Sequence, residues 1–261
     1  MEILKSEKNR LSFVLEAPQS FVNALRRASN EISILAVDEM EITKNDSVLR
    51  DEMLAHRIGL VPLSSDKTFT LPEECSCDGK GCGKCTAELV LKAVGKTGGP
   101  CTVYASDLKS KTVKVVYPDM PLVILQPEQE LELVAEARLG RGSRHAKYSP
   151  GLVYFKAYPK ISISGCDACE ACVKACPHAV LEQQGKKIVV KNLLECDLCE
   201  ACVEECKKLG KSAIKVEGSK ESFIFNIESW GQISAREIFI ESSELIGKNL
   251  KNFEKEVDKI K

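Results

Sequence analysis

The chain has 261 residues, with 37 Lys and Arg against 38 Asp and Glu, a formal net charge of -1, and 44% hydrophobic residues. That balance excludes a global electrostatic attraction to nucleic acid or to an anionic membrane surface. No apolar run approaches the roughly 18 residues needed to cross a bilayer, and Met1-Glu2-Ile3-Leu4-Lys5 lacks the basic segment and apolar core of a signal peptide. A cytoplasmic location without a membrane partner is therefore expected, and the 13 cysteines of such a chain point to metal sites rather than disulfides.

In chain order, Leu11, Phe13 and Leu15 alternate with polar neighbours after the turn Glu7-Lys8-Asn9, which predicts a strand pair over residues 1–16. Pro18 opens a helix on which Phe21, Leu25, Ala28 and Ile32 follow the 4-3-4 spacing of one apolar face. Strand character returns over 34–43, and 48–63 predicts a short helix that stops at Gly59 and Pro62. From 64 to about 160 the composition is that of loops and strands, with β-like runs AELVLKAV at 87–94 and KTVKVVY at 111–117. Residues 152–164 read as strand, a cysteine segment occupies 166–218, and SFIFNIESWG at 222–231 reads as one more strand. A long terminal helix follows. Ser234 and Glu237 form its capping box, and Ile246, Leu250, Phe253, Val257 and Ile260 repeat 4-3-4-3. A seam this regular needs something to bury against, either the chain's own domain or another subunit.

The cysteine segment is an internal repeat. Cys166, Cys169, Cys172 and Cys176 recur thirty residues later as Cys196, Cys199, Cys202 and Cys206, each set spaced C-x2-C-x2-C-x3-C. Three close cysteines let a loop wrap one side of an iron–sulfur cubane, and the fourth ligates the other cluster in two-cluster ferredoxins. The spacing predicts two [4Fe–4S] clusters, one on Cys166, Cys169, Cys172 and Cys206, the other on Cys196, Cys199, Cys202 and Cys176. Loss of a labile ligand would leave a [3Fe–4S] form, and zinc or metal-free thiols are the competing readings. Pro177 follows Cys176, as is usual, but Lys207 follows Cys206. About fifty residues with few large apolar side chains make little core, so metal binding is expected to supply folding energy. A second group, Cys75, Cys77, Cys82 and Cys85 with Gly79, Gly81 and Gly83 between them, suits a structural zinc ion with all four positions filled. Free or redox-active thiols are the alternative there, and Cys101 reads as an ordinary thiol.

No catalytic set emerges. His56, His145 and His178 lie in no nucleophile or hydrolase motif, and there is no Gly-rich phosphate loop. Arg138, Arg141, Arg144, His145 and Lys147 form the one basic cluster. Without interleaved aromatics it reads as a solvated or protein-facing surface rather than a nucleic-acid site.

Two stretches, FVNALRRASNEISILAVDEMEITKNDSVLRDEMLAHRIGLVPL at 21–63 and ARLGRGSRHAKYSPG at 137–151, resemble the alpha-like assembly subunits of multisubunit RNA polymerases, and most closely the archaeal D-type variant with an inserted ferredoxin-like segment. The resemblance implies an α+β fold in three parts. These are a discontinuous alpha-like dimerisation domain from residues 1–50 and 220–261, a mainly β insertion domain over 51–163 carrying the four-cysteine loop, and a ferredoxin-like dicluster domain over 164–219. It implies pairing with a subunit L, a platform completed by subunits N and P, assembly of the large catalytic subunits on it, and contact with DNA only through the complex. The two apolar seams, Phe21/Leu25/Ala28/Ile32 and Ile246/Leu250/Phe253/Val257/Ile260, become candidates for the helix interface with L. A ferredoxin-type electron-transfer subunit of an oxidoreductase is the alternative, against which stands the absence of any flavin or nicotinamide motif in the flanking sequence.

Overall fold

Strands dominate because apolar residues alternate along most of the chain, which places one side of each strand in a core. The computed structural model of the protein describes residues 1–64 and 69–260. The first third contains strands β1 (Glu2–Ser6) and β2 (Arg10–Glu16), helix α1 (Gln19–Ala28), strand β3 (Ile34–Asn45) and helix α2 (Asp51–Gly59). Strands β4 (Thr86–Val94), β5 (Cys101–Tyr104), β6 (Pro121–Leu125), β7 (Glu130–Gly140) and β8 (Gly151–Ile163) follow. The cysteine segment contributes helix α3 (Ala171–Ala175), strands β9 (Leu181–Gln184) and β10 (Lys187–Val190), and helix α4 (Ala201–Lys208). Strand β11 (Ile214–Ser229) and helix α5 (Ala235–Asp258) close the chain. The result is a mixed α+β molecule that divides into two units. One comprises Met1–Lys5, Ser12–Asn23 and Tyr154–Asn226, the other Ser6–Leu11, Ala24–Val153 and Ile227–Lys261.

In the first unit the sheet order is β1-β2-β11-β8. Phe13 of β2 stacks on Phe225 of β11 with centroids 5.4 Å apart, and Phe155 of β8 stacks on the same Phe225 at 6.4 Å. Such cross-strand aromatic pairs add about 0.5–1.5 kcal/mol each beyond their area burial. The cysteine segment packs around a small core of Val180, Leu181, Ile188, Val203, Ile214 and Val216, into which several cysteines are themselves buried. Gly185, at φ 62°, turns the β9–β10 hairpin.

The sequence ends the cysteine segment at 218 and starts a strand at 222, where β11 runs unbroken for 16 residues across that boundary. A Cβ at Gly218 would lie 2.9 Å from Cβ of Ala157 and 3.1 Å from Cδ1 of Leu198. The glycine is a site of close approach, not of strand termination.

The second unit holds the sheet β3-β7-β4, antiparallel throughout, with Leu35 opposite Leu139 and Leu91 opposite Leu133. Leu131, Leu133, Ala135, Ala137 and Leu139 of the central strand all point into one core. Leu54 and Ile58, four apart on α2, are fully buried in the same core. Among the described residues the run 111–117 makes an isolated bridge, Val115 to Leu63. Its partner segment contains Pro62, which has no N–H to extend a ladder. Helix α1 also departs from expectation. It ends at Ala28, a 3-10 turn takes Ser29–Glu31, and Ile32 is extended at φ -65°, ψ 131°, so Ile32 is not on the helical face. Helix α5 begins at the expected capping box: the Glu237 N–H donates to Ser234 Oγ (3.2 Å), and the Ser234 N–H donates to Glu237 Oε2 (2.8 Å).

Gly218→Val forces Ala157 or Leu198 to move and should destabilise the first unit by about 1–3 kcal/mol, the usual cost of overpacking. A denaturant midpoint unchanged from wild type would show that the close approach is not a constraint.

Candidate metal centres

The four-cysteine loop is built from two tight turns. The Asp78 N–H donates to Cys75 O (3.0 Å) and the Cys85 N–H donates to Cys82 O (2.9 Å). Between them Asp78, Gly79 and Gly81 adopt φ of 51°, 74° and 85°, which reverses the chain and brings the cysteine pairs face to face. Sulfur separations are 3.5 Å for Cys75–Cys77 and Cys77–Cys85, 3.6 Å for Cys75–Cys82 and 3.8 Å for Cys82–Cys85. All four sulfurs lie within 4.8 Å of one another. A tetrahedral ion with Zn–S bonds of about 2.3 Å spaces its sulfurs by roughly 3.8 Å, so the donor set and spacing fit a structural zinc shell. Without a cation the thiols compete for charge. The Cys77 backbone N–H and the Thr70 hydroxyl stabilise the Cys75 thiolate and pull it down to about 6, while hydrogen bonding to Cys85 and Cys75 pushes Cys77 up to about 11.

The two halves of the cysteine repeat take one backbone path. Ala168 and Glu170 have φ of 59° and 60°, and their counterparts Leu198 and Glu200 have 63° and 59°. A left-handed residue other than glycine costs about 1–2 kcal/mol. Left-handed residues at alternate positions turn successive N–H groups inward, the concave backbone found around many anionic and iron–sulfur groups. The Ala168 N–H donates to Cys166 Sγ and the Val180 N–H to Cys176 Sγ, both at 3.4 Å. An enclosed cavity is lined by Cys176, Cys196, Cys199 and Cys202, with apolar walls from Ile161, Val180, Leu181 and Val216. Burial, and then the nearby Cys176 and Cys196 sulfurs, push Cys202 up to about 11. Burial, and then Cys166 and Cys169, raise Cys172 in the other half. Cys206 is buried on α4.

The departure from proline after Cys206 is visible locally. Helix α3 stops at Ala175, and Cys176, the residue before Pro177, is extended. Helix α4 continues through Lys208, because Lys207 retains the N–H that a proline would lack. His178 Nε2 lies 3.1 Å from Asp197 Oδ2, and Asp197 Oδ1 accepts from the Cys199 N–H at 3.2 Å.

The two apolar seams are used differently. Leu25 and Ile32 are buried within the chain, Ala28 is half-buried and Phe21 is 47% exposed. On α5 the first turns bury Ala235, Ile238 and Ser242, Ile246 is half-buried, and Leu250, Phe253 and Val257 are exposed, Phe253 to 69%; Ile260, also exposed, lies beyond the helix, which ends at Asp258.

One buried polar cluster was not legible as a set. Asp38 Oδ1 accepts from Lys147 Nζ at 2.9 Å and from the Tyr148 hydroxyl at 2.7 Å, linking residues 109 and 110 positions apart. Tyr148 is fully buried, and its ring lies where a Cβ on Gly140 would sit, 2.6 Å away. Arg138 pairs with Glu136 (2.9 Å) and Glu39 (3.3 Å), and Arg141 with Glu74 (3.7 Å). Much of the basic cluster therefore faces this chain's own carboxylates. Burial alone would raise Asp38, but the hydrogen bonds from Lys147 and Tyr148 outweigh it and hold the carboxyl below its ordinary range.

The RNA polymerase Rpb3/RpoA insert domain model matches residues 39–153, and the 4Fe-4S dicluster domain model matches residues 158–207. Together they define an alpha-like polymerase subunit joined to an iron–sulfur module. DNA-directed RNA polymerase subunit Rpo3 of Methanothermobacter thermautotrophicus is 43% identical over 236 residues, covering 87% of this chain and 86% of that protein. The Archaeoglobus fulgidus subunit Rpo3 is 35% identical over 100% of this chain and 98% of its own length. The chain belongs to the Rpo3 family of archaeal DNA-directed RNA polymerase subunits. Its dicluster domain and cysteine sets support iron–sulfur binding, and no helix among the described residues is long and apolar enough to cross a membrane.

Because the folded-state value of Asp38 lies below its unfolded value of about 3.9, its stabilisation is fully present above that value. It is lost as pH falls through the lower folded-state value. Denaturant midpoints measured from about pH 5 downward should fall more steeply for wild type than for Asp38→Asn; superimposable acid limbs would contradict the assignment.

Proposed function

We propose that this chain is the non-catalytic assembly subunit, of the D type, of an archaeal DNA-dependent RNA polymerase. It pairs with subunit L through a dimerisation domain made from residues 1–50 and 220–261. The pair, with subunits N and P, is the platform for the large catalytic subunits, and DNA is reached only through the complex. The single observation that carries this reading is similarity to Rpo3 over essentially the whole chain. An electron-transfer subunit would account for 158–207 alone and leave the Rpb3/RpoA insert domain over 39–153 unexplained. The exposed apolar stripe of α5 supports the pairing, since Leu250 and Phe253 are 62% and 69% exposed on a helix whose first turns are already buried.

The metal reading is part of the proposal. The insertion domain (51–163) holds zinc on Cys75, Cys77, Cys82 and Cys85. The ferredoxin-like domain (164–219) holds one [4Fe–4S] cluster on Cys166, Cys169, Cys172 and Cys206 and another on Cys196, Cys199, Cys202 and Cys176. The sulfur spacings of the loop and the cavity shared by Cys176, Cys196, Cys199 and Cys202 support it. Bound clusters supply folding energy and electron-accepting capacity, and this chain's residues hold and shield them. Oxidative loss, beginning with conversion of one cluster to [3Fe–4S], disorders the domain and weakens assembly.

Protein purified without oxygen should contain about eight irons and one zinc per chain. A folded, iron-free chain would overturn the cluster assignment. Co-expression with L is the direct test of function. Wild type should co-purify with L, Leu250→Asp/Phe253→Asp should not while melting as wild type does, and air-treated protein that has lost iron should assemble poorly. Full pairing by the double variant would remove α5 from the interface, and full assembly after iron loss would remove the redox link.

A further inference from the structure

Lys156 lies on β8, outside the residues matched by the dicluster domain model, which begins at 158. Its ammonium donates to the carbonyl of Leu194 at 2.6 Å and to that of Cys196 at 3.0 Å. Both carbonyls stand at the end of the 3-10 turn Leu193–Glu195, where a helical turn leaves acceptors without internal partners. The Cys196 N–H completes the anchor by donating to Leu193 O at 3.1 Å. A strand residue thus fixes the peptide that carries the first cysteine of the second loop, and Cys196 is one of the four cysteines around the enclosed cavity.

The internal repeat supplies a comparison within the chain. Thirty residues earlier, Cys166 follows Gly165 at φ 64°, the Ser164 N–H bonds to Ala213 O at 2.8 Å and the neutral Gln183 amide donates to Ala168 O at 3.1 Å, so no cation binds that loop's carbonyls among these contacts. Lys211 is paired with Asp167 of that loop at 2.6 Å. At the second loop the ammonium's partners are neutral carbonyls, so its charge is not cancelled by the groups it binds. One half of the repeat pairs its loop carboxylate directly with a lysine, whereas in the other the carboxylate of Asp197 faces His178 and the Cys199 N–H and the Lys156 ammonium is held apart from it on carbonyls.

We infer that Lys156 is a positioning residue for the metal group held by Cys176, Cys196, Cys199 and Cys202, locking Cys196 in its ligating conformation and making the two halves of the repeat electrostatically unequal. The inference rests on the cluster assignment proposed above. A fixed positive charge favours the more negative, reduced state of an iron–sulfur group, and an outer partner that holds a ligand's peptide slows its release. Lys156 therefore ties the retention and reduction potential of one cluster, not both, to a strand of the sheet.

The test uses the full chain, loaded with iron and sulfide without oxygen, as wild type, Lys156→Arg, Lys156→Gln and Lys156→Met. Lys156→Met and Lys156→Gln should shift one of two midpoint potentials to a more negative value and leave the other in place. They should release about half of the iron to a chelator roughly tenfold faster, within the range seen when outer-shell partners of a metal ligand are removed. Lys156→Arg should retain wild-type behaviour, and all four should take up the same amount of iron before the chelator is added. Unchanged potentials and release rates in both Lys156→Met and Lys156→Gln would overturn the inference, as would equal shifts of both potentials, which would mean general loosening. A wild-type chain that takes up no iron would instead overturn the cluster assignment on which the inference rests.

Discussion

The cysteine segment cannot hold itself together, and the organisation of the first unit follows from that. Its core is a handful of aliphatic side chains and its own sulfurs, completed by Ile161 and Ile163 from β8 and Ile214 and Val216 from β11. A core this small is marginal by surface-to-volume scaling alone. β11 must therefore run through Gly218 without a break, because the same strand that supplies Ile214 and Val216 also pairs in the four-stranded sheet. The sulfurs inherit a conflict. Burial pushes Cys172 and Cys202 toward the neutral thiol, whereas metal ligation requires the thiolate. A metal ligated there has to displace those protons, and in small metal-binding domains such ligation is coupled to folding.

The four-cysteine loop answers the same chemical demand with local means. Its ligands lie within eleven residues, from Cys75 to Cys85. Left-handed turns at Asp78, Gly79 and Gly81 suffice to gather them, and Cys85 is buried where the loop enters β4. The dicluster segment instead spends left-handed strain on Ala168, Glu170, Leu198 and Glu200, non-glycine residues whose conformation is maintained only while the surroundings hold it.

Legibility followed the range of the interactions. The capping box of α5, the stop of α2 at Gly59 and the strand over 151–163 were readable because each is set by neighbours a few residues away. The continuity of β11 through Gly218 was not legible, because the close approach of Ala157 and Leu198 that the glycine admits is set by residues distant in sequence. The α1 seam was overextended: Ile32 keeps helical spacing with Leu25, but Ser29 turns inward to donate to Arg26 O at 2.7 Å and the chain leaves the helix. The run 111–117 has strand composition, yet among the described residues it forms an isolated bridge to a segment carrying Pro62, which has no N–H to offer on that side.

By itself the sequence determined the ligand inventory, the thirty-residue repeat and the family resemblance, since spacing and residue type are local and chemical. Only the tertiary structure decided which distant groups share a site. Asp38 meets Lys147 and Tyr148 across more than a hundred residues, Lys156 meets Cys196 across forty, and of the two apolar faces α1 is largely consumed by the chain's own core while α5 remains open. The physical reason is the same in each case. A buried charge or an orphan carbonyl takes whatever partner the packing of strands brings within hydrogen-bond reach, and that pairing is a property of the sheets rather than of any stretch of chain.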